Sequence, residues 1–232
     1  MSRRKRYSER TAKEIKQIAY RLLSEKGSAG LSIRAIAREI EMTPPAIYTY
    51  FASLDDLITA LIVDTFNAYA DALETARNTA IEREVSLTEQ LVAVSLRYRT
   101  WAIEHPERWK LIYGNPIPGY HAPPEVTVPA VRRTGNAFLG IMIDMVDTGE
   151  LSTFNTVEPI PSTVRKHLEA TLPDDAPDTY LYPMYELYSC WTHLHGMITL
   201  EIFNHLQGAI GDAESFYRHE IKRMYTEIGL KV

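Results

Sequence analysis

The chain has 232 residues, 45% hydrophobic and 24% charged, which supplies a packed core and excludes a disordered composition. Its single cysteine, Cys190, excludes an internal disulfide framework and sets the expectation of a reducing, cytoplasmic setting. The net charge of -5 conceals an asymmetry: residues 1–50 carry 11 Lys and Arg against 5 Asp and Glu, and the rest carries 14 against 25, so a polyanion is expected to meet only the N-terminal end. The opening Met1-Ser2-Arg3-Arg4-Lys5-Arg6 has no apolar run behind it and does not read as a secretory signal. No stretch approaches the roughly 18 apolar residues that span a bilayer, and no membrane partner is expected.

Taken in chain order, nearly every long segment has helical period. Thr11-Ala12-Lys13-Glu14 has the form of a capping box, followed by the stripe Ile15, Ile18, Ala19, Leu22, Leu23 and a stop at Gly27. Ser32 is a second N-cap ahead of Ile33, Ile36, Ala37 and Ile40. Thr43 is a third, with Pro44 at the first helical position, where a missing N–H costs nothing. That short helix runs through Ile47, Tyr48 and Phe51. Three short helices with the last two joined tightly are the arithmetic of a helix-turn-helix.

From Leu54 the helices lengthen. One is expected over 54–80, burying Leu57, Leu61, Phe66, Tyr69 and Leu73, and another opens at the capping box Ser86-Leu87-Thr88-Glu89 and stops at His105-Pro106. A short helix follows over 106–112. Residues 113–124 read as loop from their Gly and Pro content, 125–146 as helix, and the stretch holding Pro159, Pro161, Pro173 and Pro177 as irregular. Helices over 180–206 and 212–228 complete an all-α chain without repeats: a helix-turn-helix domain over 1–53 and a larger helical domain over 54–232.

Residues 31–57, with the capped Ile36-Ala37 helix, the Thr43-initiated second helix, the Ile47-Tyr48 pair and Phe51 before Ser53, strongly resemble the DNA-binding domain of the TetR family of repressors. Two departures are that Tyr50 stands where the family often has His, and Leu54 where it usually has Lys. Further on, Trp191-x-x-x-His195-Gly196, with Trp101, His105-Pro106 and Gly114-Asn115-Pro116 upstream, looks like the "WHG" subgroup of TetR C-terminal domains. The resemblance implies a dimer-forming, ligand-sensing C-terminal domain and, by family default, repression.

In helix-turn-helix docking the second helix lies in the major groove with its N-terminal residues at base edges. Thr43, Pro44, Pro45, Ala46 and Thr49 are therefore expected near bases, supplemented by Arg34. Pro and Ala offer apolar contact to thymine methyls but no bidentate bond to a purine. Ser32, Tyr48 and Tyr50 suit phosphate contacts, which position without specifying. Arg3, Arg4, Lys5, Arg6 and Arg10 form a basic arm that either enters a narrow minor groove or is a solvated tail.

A sensing pocket needs an apolar cavity of about 300–1,000 Å³ with a few polar groups. Tyr98, Trp101, His105, Trp109, Tyr113, Met142, Met145, Tyr188, Trp191 and His195 suit one. The helix around residue 190 is apolar on most sides and carries Gly196 at its centre; together with Tyr217, Ile221, Met224, Tyr225 and Ile228 on the last helix it suggests a homodimer interface. His193 and His195, two residues apart, point about 200° apart on a helix and cannot share a metal. With no Cys-x-x-Cys, no phosphate loop and no Gly-x-Ser-x-Gly, no catalytic residue, metal or cofactor is expected. The expected function is a ligand-responsive regulator, binding a pseudo-palindromic operator as a homodimer. A regulator controlled by a protein partner or by its own abundance is the alternative, and an all-α enzyme finds no pair of titratable groups to support it.

Overall fold

The computed structural model describes residues 3–151, 159–172 and 176–232, the side chains of Arg3 and Arg4 excepted. Pro173 therefore lies outside the described residues. Among those described there is no strand, and no helix is long and apolar enough to cross a membrane. The fold is all-α, as the periodicity indicates.

The helices are α1 (Arg3–Lys26), α2 (Ile33–Glu39), α3 (Pro44–Ile47), α4 (Leu54–Glu82), α5 (Leu87–Glu104), α6 (Pro106–Tyr113), α7 (Pro124–Asp147), α8 (Ser162–Glu169), α9 (Leu181–Ile202), α10 (Gln207–Ile210) and α11 (Ala213–Glu227). They form two compact units, Met1–Ala68 with His105–Val131, and Tyr69–Glu104 with Arg132–Val232. The long helices α4 and α7 contribute residues to both.

In the first unit, Ile15, Leu22, Ile36, Ile47, Leu57 and Leu61 are all but fully buried in one cluster. Ser32 caps α2 as expected, its Oγ accepting from the Ala35 N–H at 3.1 Å. Gly27 ends α1 with a φ of 66°, a left-handed conformation that favours glycine. Thr43 occupies the N-cap of α3 with Pro44 behind it, but its hydroxyl makes no capping bond.

Three readings of the sequence are corrected. α1 does not begin at a box on Thr11: it starts at Arg3, and the Thr11 hydroxyl donates back to the Tyr7 carbonyl at 3.2 Å, one turn earlier. Arg, Lys and Glu upstream are good helix formers, so the helix runs through the box. Second, the stretch read as irregular contains α8, which begins directly after Pro161; proline before a helix bounds it rather than forbidding it. Third, the late helix ends at Ile202, where Asn204 takes a left-handed φ of 60°, and α10 follows separately.

The second unit is organised around α5, α9 and α11, which pack on one another. Tyr69 stacks on Trp101 at 4.3 Å and on Tyr98 at 5.1 Å between ring centroids. Arg99 grips Glu201 through two hydrogen bonds of 2.8 and 2.5 Å, the fork geometry that guanidinium and carboxylate favour. The Ser86–Glu89 box forms reciprocally, at 3.0 and 3.3 Å, and Asp212 caps α11 through the Ser215 N–H at 3.0 Å.

The two N-caps of the first unit predict unequal costs. Ser32→Ala is expected to lower unfolding stability by about 1 kcal/mol, and Thr43→Ala by less than half of that, because only Ser32 has a hydrogen bond to lose. Urea unfolding of both variants checks this, and equal losses would refute the assignment.

Candidate nucleic-acid interface and effector cavity

The helix-turn-helix is built so that one residue of its second helix faces in and its neighbours face out. Ile47 is fully buried, while Thr43, Pro45, Tyr48 and Thr49 are exposed and Pro44, Ala46 and Tyr50 are half-buried. Tyr48 is 50% exposed, so its ring is no part of the core. Tyr50 instead leans against the cluster around Ile47. The Thr49 hydroxyl donates to the Ala46 carbonyl at 2.7 Å, which commits its one proton and leaves the oxygen as an acceptor only. On α2, Ser32 and Arg34 are exposed, and so is Arg38, one helical turn beyond Arg34 on the same face. Arg38 was missed in the sequence, although its i, i+4 spacing from Arg34 was there to be read.

The basic arm is the first turns of α1. A helix about 10–12 Å across with its side chains does not fit a minor groove about 6 Å wide. In this helical form the segment is too wide to lie inside such a groove.

Behind the recognition surface, the Tyr20 hydroxyl of α1 donates to the Leu61 carbonyl and lies against Thr65 Oγ1, both at 2.8 Å. The Arg108 guanidinium of α6 sits 4.6 Å over the Tyr20 ring. Lys16 pairs with Asp64 at 2.5 Å, and Thr59 meets the Tyr120 hydroxyl at 2.9 Å. Polar contacts thus fasten α1, α4, α6 and the loop after α6 within one unit.

The ten residues expected to line a pocket are not all brought together. His105, Trp109 and Tyr113 belong to the first unit, where Trp109 is fully buried and packs against Tyr113 at 4.8 Å. Trp101 is consumed by its stack on Tyr69, Met145 is buried away from the cavity, and Tyr188 is 52% exposed. Tyr98, Met142 and Trp191 do line one cavity of the second unit, walled otherwise by Leu91, Phe138, Leu187 and Leu194, with Cys190 and Tyr225. Leu91, Phe138, Leu187, Cys190, Leu194 and Tyr225 are not among the ten; Phe138 and Leu194 sit at helical spacing from Met142 and Trp191, which are. The free space is about 10 Å³, room for about one water.

At its edge three side chains form a chain. The Trp191 indole N–H donates to the Tyr98 hydroxyl at 2.9 Å, and that hydroxyl meets His195 Nδ1 at 3.2 Å. His195 is therefore held by Tyr98, whereas His193 faces Glu220 at 3.2 Å.

Two family models match the chain: bacterial regulatory proteins of the tetR family over residues 17–61, and the tetracyclin repressor-like C-terminal domain over residues 91–224. Over 206 residues the chain is 34% identical to the HTH-type transcriptional regulators Rv1816 of Mycobacterium tuberculosis and Mb1846 of Mycobacterium bovis, covering 88% of this chain and 85% of each relative. The chain belongs to the TetR family of transcription regulators. Among solved structures, SCO4313 superposes with a TM-score of 0.77 at 27% identity, over 97% of this chain and all of that one. PfmR of Thermus thermophilus shares the fold, at a TM-score of 0.59 and 18% identity, over 94% and 99% of the two chains.

In this TetR-family chain the charge state of the cavity edge follows from burial. Desolvation lowers the His195 pKa from its usual 6.5, so the ring is neutral at pH 7. The Tyr98 oxygen accepts from the indole, and in the Nε2–H tautomer of His195 the Tyr98 proton is donated to Nδ1. Burial pushes the Cys190 thiol up to about 12, which leaves it an inert wall group. Because the unfolded chain binds a proton to His195 more readily than the native one, stability falls as pH drops below about 6.5. Relative to His195→Gln, the unsubstituted chain is expected to lose stability between pH 7.5 and 5.5; a gap independent of pH in denaturant titrations would contradict a buried neutral imidazole.

Proposed function

We propose that the protein is a ligand-responsive transcriptional regulator, a repressor by family default, that binds a pseudo-palindromic operator as a homodimer. Residues 1–53 carry the DNA-reading helices and residues 54–232 the sensing and dimer-forming part. The observation that carries the reading is the arrangement around Ile47: a buried anchor with Pro45, Ala46, Tyr48 and Thr49 displayed beside Ser32 and Arg34. Two such surfaces about 34–36 Å apart match successive major grooves. Apolar groups at the tip favour thymine methyls, while Tyr48, Arg34 and the helical arm supply phosphate contacts that any sequence offers.

Support for a second copy comes from α9. Tyr217, Ile221, Met224 and Tyr225 of α11 are already buried within a single chain, so what α11 offers a partner is mainly its polar face. On α9, Tyr188, Leu200 and Phe203 remain exposed, and a Cβ added to Gly196 would meet nothing within 4 Å. No crossing among the described residues needs that glycine, whose place in a helix costs about 0.5–1 kcal/mol; a close approach by the same helix of a second subunit accounts for it.

Control by a protein partner or by abundance is the second reading, and the small free volume of the cavity favours it. The two differ in whether any small molecule changes DNA affinity.

Fluorescence anisotropy with DNA flanking the protein's own gene, against scrambled DNA, tests the main reading. A preference of at least about 10³ that weakens with salt is expected; equal affinity for both DNAs would refute a specific operator there. Replacing Lys5, Arg6 and Arg10 by Ala is expected to weaken both DNAs alike and to lower the salt slope by about one for each phosphate no longer neutralised. For the dimer, Phe203→Glu is expected to shift sedimentation toward the monomer and to cut operator affinity, whereas an unchanged dimer would place the interface elsewhere.

A further inference from the structure

Resting on the reading of the second unit as a sensor, we propose that the cavity beneath Trp191 takes a small uncharged, mainly apolar molecule bearing one hydroxyl donor, an alcohol or a phenol, admitted by outward rotation of the Trp191 indole. Among the described residues, no charged side chain lines this cavity. A carboxylate or ammonium carried into it would be stripped of water with no ion to pair with, which is strongly disfavoured. The walls made by Leu91, Phe138, Met142, Leu187 and Leu194 reward apolar surface instead.

Polar contacts at the walls narrow the class further. The Tyr225 hydroxyl is taken up by Ser95 at 2.5 Å, and the Cys190 thiol is a weak partner. Tyr98 differs, because the donor to its oxygen comes from a side chain that is itself 36% exposed. When the indole turns outward, the Tyr98 oxygen loses a donor while its bond to His195 Nδ1 remains. A ligand O–H restores what the indole N–H supplied; a ketone or ether oxygen does not. The space vacated matters as much, since a six-carbon ring needs a cavity of about 150 Å³ and the closed site has about 10 Å³.

Octan-1-ol and its isomer 1-methoxyheptane are probes of equal size that differ in the donor, and octanoate and octylammonium add charge. Calorimetry on the full chain is expected to show the alcohol binding about fivefold tighter than the ether, the net worth of one hydrogen bond, and both ions at least tenfold weaker than the alcohol. Tyr98→Phe should abolish the preference for alcohol over ether, and Trp191→Phe, which removes the competing N–H, should tighten alcohol binding. Equal affinity for alcohol and ether, tighter binding of octanoate, or no binding of octan-1-ol to either the unsubstituted chain or Trp191→Phe would overturn the proposal. Anisotropy with the flanking DNA in the same samples separates the two levels. Alcohol binding with unchanged DNA affinity keeps this site and removes the sensor reading. A DNA response that still prefers octan-1-ol over 1-methoxyheptane in Tyr98→Phe keeps the sensor and removes this site.

Discussion

A recognition helix of four residues has no stability of its own, because helix nucleation costs more than one turn returns. What holds α3 in place is Ile47, fully buried with Ile15, Ile36 and Leu57. Burying one such side chain stabilises by roughly 1.5–3 kcal/mol, and here it also fixes direction. With Ile47 inward, Pro45, Tyr48 and Thr49 are turned to solvent. Pro44 and Pro45 help by restricting the backbone before the chain folds, so the displayed surface is stiff as well as small. The price is chemical: prolines and an alanine leave few hydrogen-bond donors at the tip, so in the proposed reading sequence preference would lean on methyl contacts, on α2 and on DNA shape.

The second unit solves a different problem, that of burying large rings which carry polar ends. Each hydroxyl is matched on α5: Tyr69 donates to the Tyr98 carbonyl, Tyr217 to the Ser95 carbonyl, and Tyr225 shares a hydrogen bond with the Ser95 hydroxyl. A buried hydroxyl left without a partner would cost more than its ring returns. Satisfying all three from one helix draws the rings of neighbouring helices onto α5, and the cavity beside it is what remains unfilled. The same packing explains why aromatic content alone did not mark a binding site: most of these rings are already in contact with each other.

Periodicity and caps made most of the architecture legible. Ser32, Ser86 and Gly27 each end or begin a helix where the residue type says they should, since those signals act within one turn. The failures share a cause. Thr11 has the right neighbours for a cap, but whether a helix starts there depends on residues 3–10, which are themselves helix formers. Pro161 reads as a breaker and in fact precedes α8, a distinction set by backbone direction and not by residue type. The pocket residues were the least legible, because Trp109 and Tyr113 carry the same chemistry as Tyr98 and Trp191 and only tertiary structure assigns them to different units.

For the proposed sensor, a cavity with room for about one water has a consequence. If the form with Trp191 turned outward is a minor population, a ligand's apparent affinity is reduced in proportion to that population. The hydrogen bond from Trp191 to Tyr98, worth about 0.5–1.5 kcal/mol net, together with the apolar contacts of the indole, sets how minor it is. In the proposed sensor such a latch would reject low levels of greasy solutes: weak binders would not meet the cost of opening, whereas a ligand that replaces the lost donor would recover part of it. On that proposal selectivity would lie less in the walls, which accept any apolar shape of the right volume, than in the oxygen of Tyr98.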